Sequence, residues 1–276
     1  MGSGRNGLAA VSERFAEATA VERIGDGRWS AEILEGWDIV GRAHGGYMLA
    51  IAARALAVAT GRRDPITVTG HFLTPGRSGP VTIDTDVIRG GRRFTTATAT
   101  MRDGDGRPLL TVLGTLGDLD ESDGPELIDA TMPAVPDPAD CVLMVPSDPL
   151  PPSLMSKVEL RIHPDDVGFY KGEPSGTPQM RGWFRLRDDE PIDSVALLCA
   201  VDAFPPTTFN AQLPVGWTPT LELTAHIRGR PQPGWLRCAF RTRFISGGFL
   251  EADGEIWDGA GRLVAQSRQL ALVAKG

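Results

Sequence analysis

Cysteine is scarce in this 276-residue chain, and basic runs and metal-binding spacings are missing. Only Cys141, Cys199 and Cys238 occur, odd in number, far apart and set among apolar neighbours. That excludes a disulfide framework and fits free thiols in a reducing compartment. The net charge is −7, and no basic run exceeds Gly61-Arg62-Arg63 or Gly91-Arg92-Arg93, which argues against a nucleic-acid partner. The apolar run from Val195 to Val201 is far too short to cross a membrane, so no membrane insertion is expected. The start, Met1-Gly2-Ser3-Gly4-Arg5-Asn6, has no apolar signal core after it, and Asn6 spoils a myristoylation pattern. A cytoplasmic protein is the expectation. No Gly-x-Ser-x-Gly occurs, which sets aside a serine hydrolase, and no nucleotide-type glycine loop is present.

What is present suffices for a full core without staples. Hydrophobic residues make up 41% and charged residues 23%, an ordinary globular balance, and the length allows two domains of common size or one large one. After a short helix near Ser12–Ala20, Trp29–Leu34 alternates like a strand. A helix of small and apolar residues follows, opened by His44-Gly45-Gly46 and ended near Gly61. Four strand-like runs come next, at about Ile66–Leu73, Pro80–Arg89, Arg93–Arg102 and Leu109–Gly117. Residues 118–153 are acidic and proline-rich and read as a linker, with an apolar patch at Cys141–Val145 suited to pack on a sheet. Beyond it lie strands at Lys157–Ile162 and Met180–Arg187, then a buried helix from Asp193 to Pro206. Four more strands are expected at Thr220–Arg228, Trp235–Phe244, Phe249–Trp257 and Arg262–Val273.

The two halves repeat. An offset of 155 residues lays Thr69-Gly70-His71-Phe72 on Thr224-Ala225-His226-Ile227, Phe94 on Phe249, and Asp103-Gly104-Asp105-Gly106-Arg107 on Asp258-Gly259-Ala260-Gly261-Arg262, without a gap. The same offset puts His44 on Cys199 and Tyr47 on Asp202, so the buried helices are expected to correspond. Each half then reads as one long helix wrapped by an antiparallel sheet. That is an α+β double hotdog, with residues 1–117 and 154–276 as its two units.

Asp202 is the anomaly in this layout. A carboxylate in the last turn of a helix meets the negative end of the dipole, which costs roughly 0.3–1 kcal/mol, and here it ends an apolar run. Either it reaches solvent or caps a nearby amide, or it is a base of raised proton affinity.

On these motifs the chain resembles the type II acyl-CoA thioesterases, which are double hotdogs. The resemblance is carried by His44-Gly45-Gly46, by His71-Phe72-Leu73-Thr74-Pro75-Gly76, and by Asp202 with Phe204-Pro205-Pro206. Thr220-Leu221-Glu222-Leu223-Thr224 and Leu263-Val264-Ala265-Gln266-Ser267-Arg268-Gln269 add to it. The resemblance implies hydrolysis of an acyl-CoA to a carboxylic acid and CoA, in lipid metabolism, without metal or other cofactor. It implies a catalytic set of Asp202, Thr220 and Gln269 that holds one water. The family has an Asp and a His shortly after the threonine, where this chain has Glu222 and Leu223.

The chemistry fits the residue types. Asp202 would act as base, and Thr220 and Gln269 would orient the water, each able to donate and accept. The helix start, with His44, Gly45, Gly46 and Tyr47, would bind substrate, the glycine amides serving a developing oxyanion. Gln269 shares strand parity with apolar Leu263, Ala265, Ala271 and Val273, so it needs a buried partner. Thr220 falls by parity in a polar row, unless Pro219 breaks the pattern. His44 also reads as a helix cap or a satisfied core histidine, and duplicated His71 and His226 read as structural. Under the offset, Asp202, Thr220 and Gln269 map onto Tyr47, Pro65 and Gly114, so one site per chain is expected.

Arg89, Arg92, Arg93, Arg228 and Arg230 are candidates for the CoA phosphates. Hotdog sheets leave long edges, so a homo-oligomer, a dimer or tetramer, is expected. The alternatives are a non-catalytic acyl-thioester binder and an enoyl-CoA hydratase or dehydratase, for which Asp38 and His44 are the available pair.

Overall fold

The computed structural model describes residues 14–121, 124–148, 150–187 and 191–274. The start of the expected first helix lies outside them, and what is described is one turn, α1 (Phe15–Ala18). In the first half come β1 (Glu22–Gly25), β2 (Arg28–Ile33), a small hairpin β3 (Asp38–Ile39) and β4 (Arg42–Ala43), and the helix α2 (Gly45–Thr60). Then follow β5 (Asp64–Phe72), β6 (Gly79–Gly90), β7 (Thr95–Asp103) and β8 (Pro108–Gly117). The second half has β9 (Val142–Leu143), β10 (Val158–Ile162), β11 (Gln179–Leu186), helix α3 (Ala196–Ala200), β12 (Thr220–Ile227), β13 (Leu236–Arg241), β14 (Ile245–Ser246), β15 (Phe249–Trp257) and β16 (Leu263–Leu272).

Among the described residues, all strands but the β3–β4 hairpin join one antiparallel sheet, in the order β1-β2-β6-β7-β8-β5-β12-β16-β15-β13-β11-β10-β9, with β14 beside β15. The halves meet where β5 pairs with β12, and the register sets Thr69 opposite Thr224. These are the same two residues that the 155-residue offset equates, so the repeat is a pseudo-two-fold running through the middle of the sheet. The fold is a double hotdog.

Helix α2 is the core of the first half. His44 caps its start by accepting the Tyr47 N–H, and Gly61, at φ 66°, ends it in the left-handed conformation that glycine tolerates. Because its residues are small and apolar, the sheet wraps it closely, and from Gly46 to Ala53 every side chain is buried.

The second half departs from the expected symmetry. Under the offset, α2 falls on residues 200–215, but there the chain carries Pro205-Pro206, which supply no N–H and block a helix. Only α3, ending where α2's counterpart would begin, and a 3-10 turn at Thr207–Asn210 remain. Among the described residues the second unit therefore lacks a long central helix. Gly114 lies against Leu56 of α2, whereas its counterpart Gln269 faces open space. A cavity occupies the room that the missing helix vacates.

The proline-rich segment is tied down. Strand β9 pairs with β10, the Trp183 indole N–H donates to the Pro136 carbonyl at 2.7 Å, and Arg237 donates to that of Pro133 at 3.1 Å. The Ser153 hydroxyl bonds the Asp38 carbonyl at 3.0 Å, which closes the segment onto the first half.

Candidate active site

Helices α2 and α3 pack against each other, and Gly46 is what lets them approach. A Cβ there would stand 2.4 Å from the Leu198 carbonyl oxygen and 2.9 Å from Asp202 Cβ. With no side chain in the way, the Gly46 N–H donates to Asp202 Oδ2 at 2.7 Å. The positive end of α2 thus meets the carboxylate that α3's own dipole disfavours. His44 completes the clasp. Its Nδ1 accepts the Tyr47 N–H at 3.2 Å, which leaves Nε2 to donate to the Asp202 carbonyl at 3.0 Å, and Nε2 lies 3.4 Å from Oδ2. The His44 side chain is fully buried and that of Asp202 is 13% exposed. Burial pushes the Asp202 carboxyl above the ordinary aspartate value; His44 and the Gly46 amide pull the other way without cancelling it.

Thr220 and Gln269 meet Asp202 from the opposite wall. The Gln269 amide donates to Asp202 Oδ1 at 3.3 Å and also to the Thr220 hydroxyl oxygen. Gln269 sits on the inward row of β16, as strand parity predicts. Thr220 joins it through a bulge: Thr220 pairs with Ala271 and Glu222 with Leu270, so Leu221 is the extra residue. The bulge next to Pro219 takes Thr220 out of the row of Thr224 and His226 and turns it to the cavity. Since Thr220 accepts from Gln269, its own proton remains to donate elsewhere.

These groups lie on the wall of a cavity of about 620 Å³. Gly45 and Phe72 of the first half line it beside Asp202. Most of the remaining lining is apolar and comes from the second half and the proline-rich segment, including Met144, Met155, Leu160, Phe209 and Phe240. The first half supplies the glycine-opened helix, and the second half with the proline-rich segment most of the apolar lining.

Other sequence candidates lie elsewhere. Tyr47 does not line the cavity: its ring stacks on Trp37 at 4.7 Å and its hydroxyl donates to the Ala18 carbonyl at 2.7 Å, so it serves the first core. Gly46 is likewise turned to Asp202, which leaves Gly45 as the cavity-lining glycine. Asp38 holds the Gly41 N–H in the β3–β4 hairpin and does not line the cavity, so it does not pair with His44. Glu222 accepts from Thr224 outside the cavity, and Leu223 is core. None of Arg89, Arg92, Arg93, Arg228 and Arg230 lines it either. Arg230 is held by Asp64, Asp118 and Asp120, and Arg228 donates to Gln266. Sequence reasoning missed Arg42 and Trp217 at the rim, where the guanidinium carbon lies 4.2 Å from the indole centroid. Nothing in their local spacing relates a hairpin arginine to a loop tryptophan so distant in the chain.

The fold and this polar cluster define a double hotdog with one asymmetric site. Residues 33–117 match the acyl-CoA thioesterase N-terminal domain and residues 138–273 the acyl-CoA thioesterase C-terminal domain. The chain belongs to that acyl-CoA thioesterase family. It is 30% identical over 266 residues to an uncharacterized protein of Mycobacterium tuberculosis, covering 89% of this chain and 90% of that one. Among solved structures, a protein from Thermobifida fusca provisionally classed as a thioesterase II is 33% identical, with a TM-score of 0.86 over 95% of this chain and 98% of that one. A hot dog protein of unknown function from Alicyclobacillus acidocaldarius shares the fold at 24% identity, with a TM-score of 0.81 over 95% and 98% of the two chains. Family and fold are those of thioester hydrolases.

Proposed function

We propose that the protein hydrolyses acyl-CoA thioesters by activating one water between Asp202, Thr220 and Gln269. The observation that carries this reading is the hydrogen-bonded link of the three side chains, contributed by three separate segments, on the wall of an otherwise apolar cavity. The raised proton affinity of Asp202 suits a general base. It takes a proton from the water as the oxygen attacks the thioester carbon. The amide of Gly45, a cavity-lining residue at the start of α2, stabilises the oxyanion. Collapse breaks the carbon–sulfur bond, and the proton held by Asp202 goes to the departing thiolate, giving a carboxylic acid and CoA. His44 and Gly46 position the base. No step calls for a metal.

In this reading residues 1–117 and 154–276 are the two hotdog units and 118–153 a strap that closes the acyl pocket. The exposed edge strand β1 supports assembly of the chain as a dimer or tetramer. Release of free thiol from a panel of short, long, branched and aromatic acyl-CoAs tests the function. Turnover that falls at least about tenfold in Gln269→Ala is the expected result. Binding of acyl-CoA without any turnover would leave the non-catalytic binder in its place.

A further inference from the structure

Beside the catalytic cavity lies a second, smaller pocket of about 420 Å³, and the two share Arg42, Thr74 and Pro75 in their walls. The loop after β5 builds the connection. It leaves the catalytic wall at Phe72, whose ring would touch a Cβ on Gly45 at 3.0 Å, and reaches Arg77 five residues later. That is a span of at most ~18 Å at full extension. The Ala43 N–H donates to the Gly76 carbonyl at 2.9 Å, which brings the neighbouring residues Arg42 and Arg77 to the same pocket.

The charge there is unusual for this chain. Most arginines of both halves are committed to carboxylates or carbonyls, such as Arg54 to Asp193, Arg181 to Asp166 and Arg262 to Asp258. Among the described residues, Arg42 and Arg77 have no carboxylate within ion-pair distance. The acids of the small pocket, Asp103 and Asp105, share the single guanidinium of Arg107, at 2.7 and 3.7 Å. Three arginines against two aspartates leave the small pocket one positive charge in excess, and Arg42 and Arg77 are the guanidinium groups not spent on a carboxylate, in a wall that Arg42, Thr74 and Pro75 share with the cavity of Asp202. A guanidinium offers a planar fork of donors suited to phosphate oxygens.

We propose that Arg42 and Arg77 form the phosphate subsite of the site described above and take the phosphorylated nucleotide end of a CoA thioester, with the pantetheine arm running past Thr74 and Pro75 to Asp202. The inference rests on the thioesterase reading. Trp217, already stacked with Arg42 and partly exposed, supplies a ring face at the same rim for the adenine.

The test compares one acyl group on CoA, on 3′-dephospho-CoA and on pantetheine. The unmodified protein is expected to prefer the CoA thioester, and Arg42→Ala and Arg77→Ala each to shrink that preference about tenfold, through KM rather than kcat. Arg77→Lys, which keeps the charge but not the fork, should recover part of it. A preference for CoA that both alanine variants retain would overturn the proposal. So would a phosphopantetheine-loaded carrier protein that is the better substrate and is indifferent to both substitutions, because the mouth would then be read by a protein surface. Should the unmodified protein hydrolyse none of these thioesters, the thioesterase reading fails, and calorimetry with adenosine 3′,5′-bisphosphate judges the subsite separately. Binding weakened about tenfold by Arg77→Ala supports it, and no binding removes it.

Discussion

The hydroxyl oxygens of Thr69 and Thr224 lie 2.8 Å apart across the strand pair that joins the two halves, and the two residues are 155 positions apart in the chain. Thr224 donates to Glu222 at 2.5 Å, so the proton between the threonines comes from Thr69. Residues equated by the internal repeat touch each other here, and again where Cys199 Sγ lies 3.8 Å from His44 Nδ1. Contact between equivalents is what a two-fold axis produces. Since the threonine bond belongs to the junction, Thr69→Val and Thr224→Val should each cost about 1 kcal/mol, and the double variant less than the sum. Urea unfolding of all four proteins checks the coupling.

The junction has a second tie, at Asp64. That side chain is 2% exposed and accepts from Ser194 at 2.7 Å, from the Leu119 amide at 3.0 Å and from Arg230 at 2.5 Å. Arg230→Ala leaves a buried carboxylate with too little compensation and should destabilise by ~3–5 kcal/mol. Its KM for any acyl-CoA should stay at the unmodified value, because Arg230 is neutralised by Asp64, Asp118 and Asp120 and does not line the cavity. Thermal unfolding and kinetics on the folded fraction separate the two effects.

Much of this was legible in the residues, and the failures have physical reasons. Alternation and turn residues placed the strands, and Phe249–Trp257 comes out as expected, because a sheet with one wet face imposes period two. The repeat offset located the junction, since both halves kept their strand lengths. Helix correspondence failed at Pro205-Pro206, where two missing N–H groups outweigh the ancestral pattern. Tyr47 reads as a substrate contact in the sequence because α2 is apolar all round, and periodicity cannot tell which face looks to the site. Thr220 was recoverable only through Pro219, as parity alone points it the wrong way. Arg42 and Trp217 carry no local signal, for what joins them is the tertiary fold.

Gly46→Ala tests the close approach of the helices. Alanine is the better helix former by about 1 kcal/mol, but its methyl carbon would sit 2.4 Å from the Leu198 carbonyl oxygen, against backbone that cannot swing aside. Net destabilisation of roughly 1–3 kcal/mol is expected, with kcat falling further because the Gly46 bond to Asp202 is displaced. A variant of unchanged stability would show that α2 and α3 are less tightly opposed.

Asp202→Asn should raise stability at neutral pH. The folded carboxyl holds its proton above the ordinary aspartate value, chiefly through burial, so its favourable contribution is complete below the unfolded pKa and is lost as pH rises through the folded one. Asparagine carries no charge to bury. The expected gain is about 0.5–2 kcal/mol at neutral pH, shrinking towards zero below pH ~4, as read from melting curves across that range.

Asp202 is proposed as the base of a water-activating site. The most direct test of that role is kcat/KM for thiol release by the unmodified protein and by Asp202→Asn, each across a pH series, on the best acyl-CoA of the panel. A general base at Asp202 predicts a loss of about 10²-fold or more in the variant. It also predicts an acid limb in the unmodified protein that lies above the usual carboxylate range and is absent from the residual activity of the variant. Equal rates, with the acid limb retained in Asp202→Asn, would contradict it.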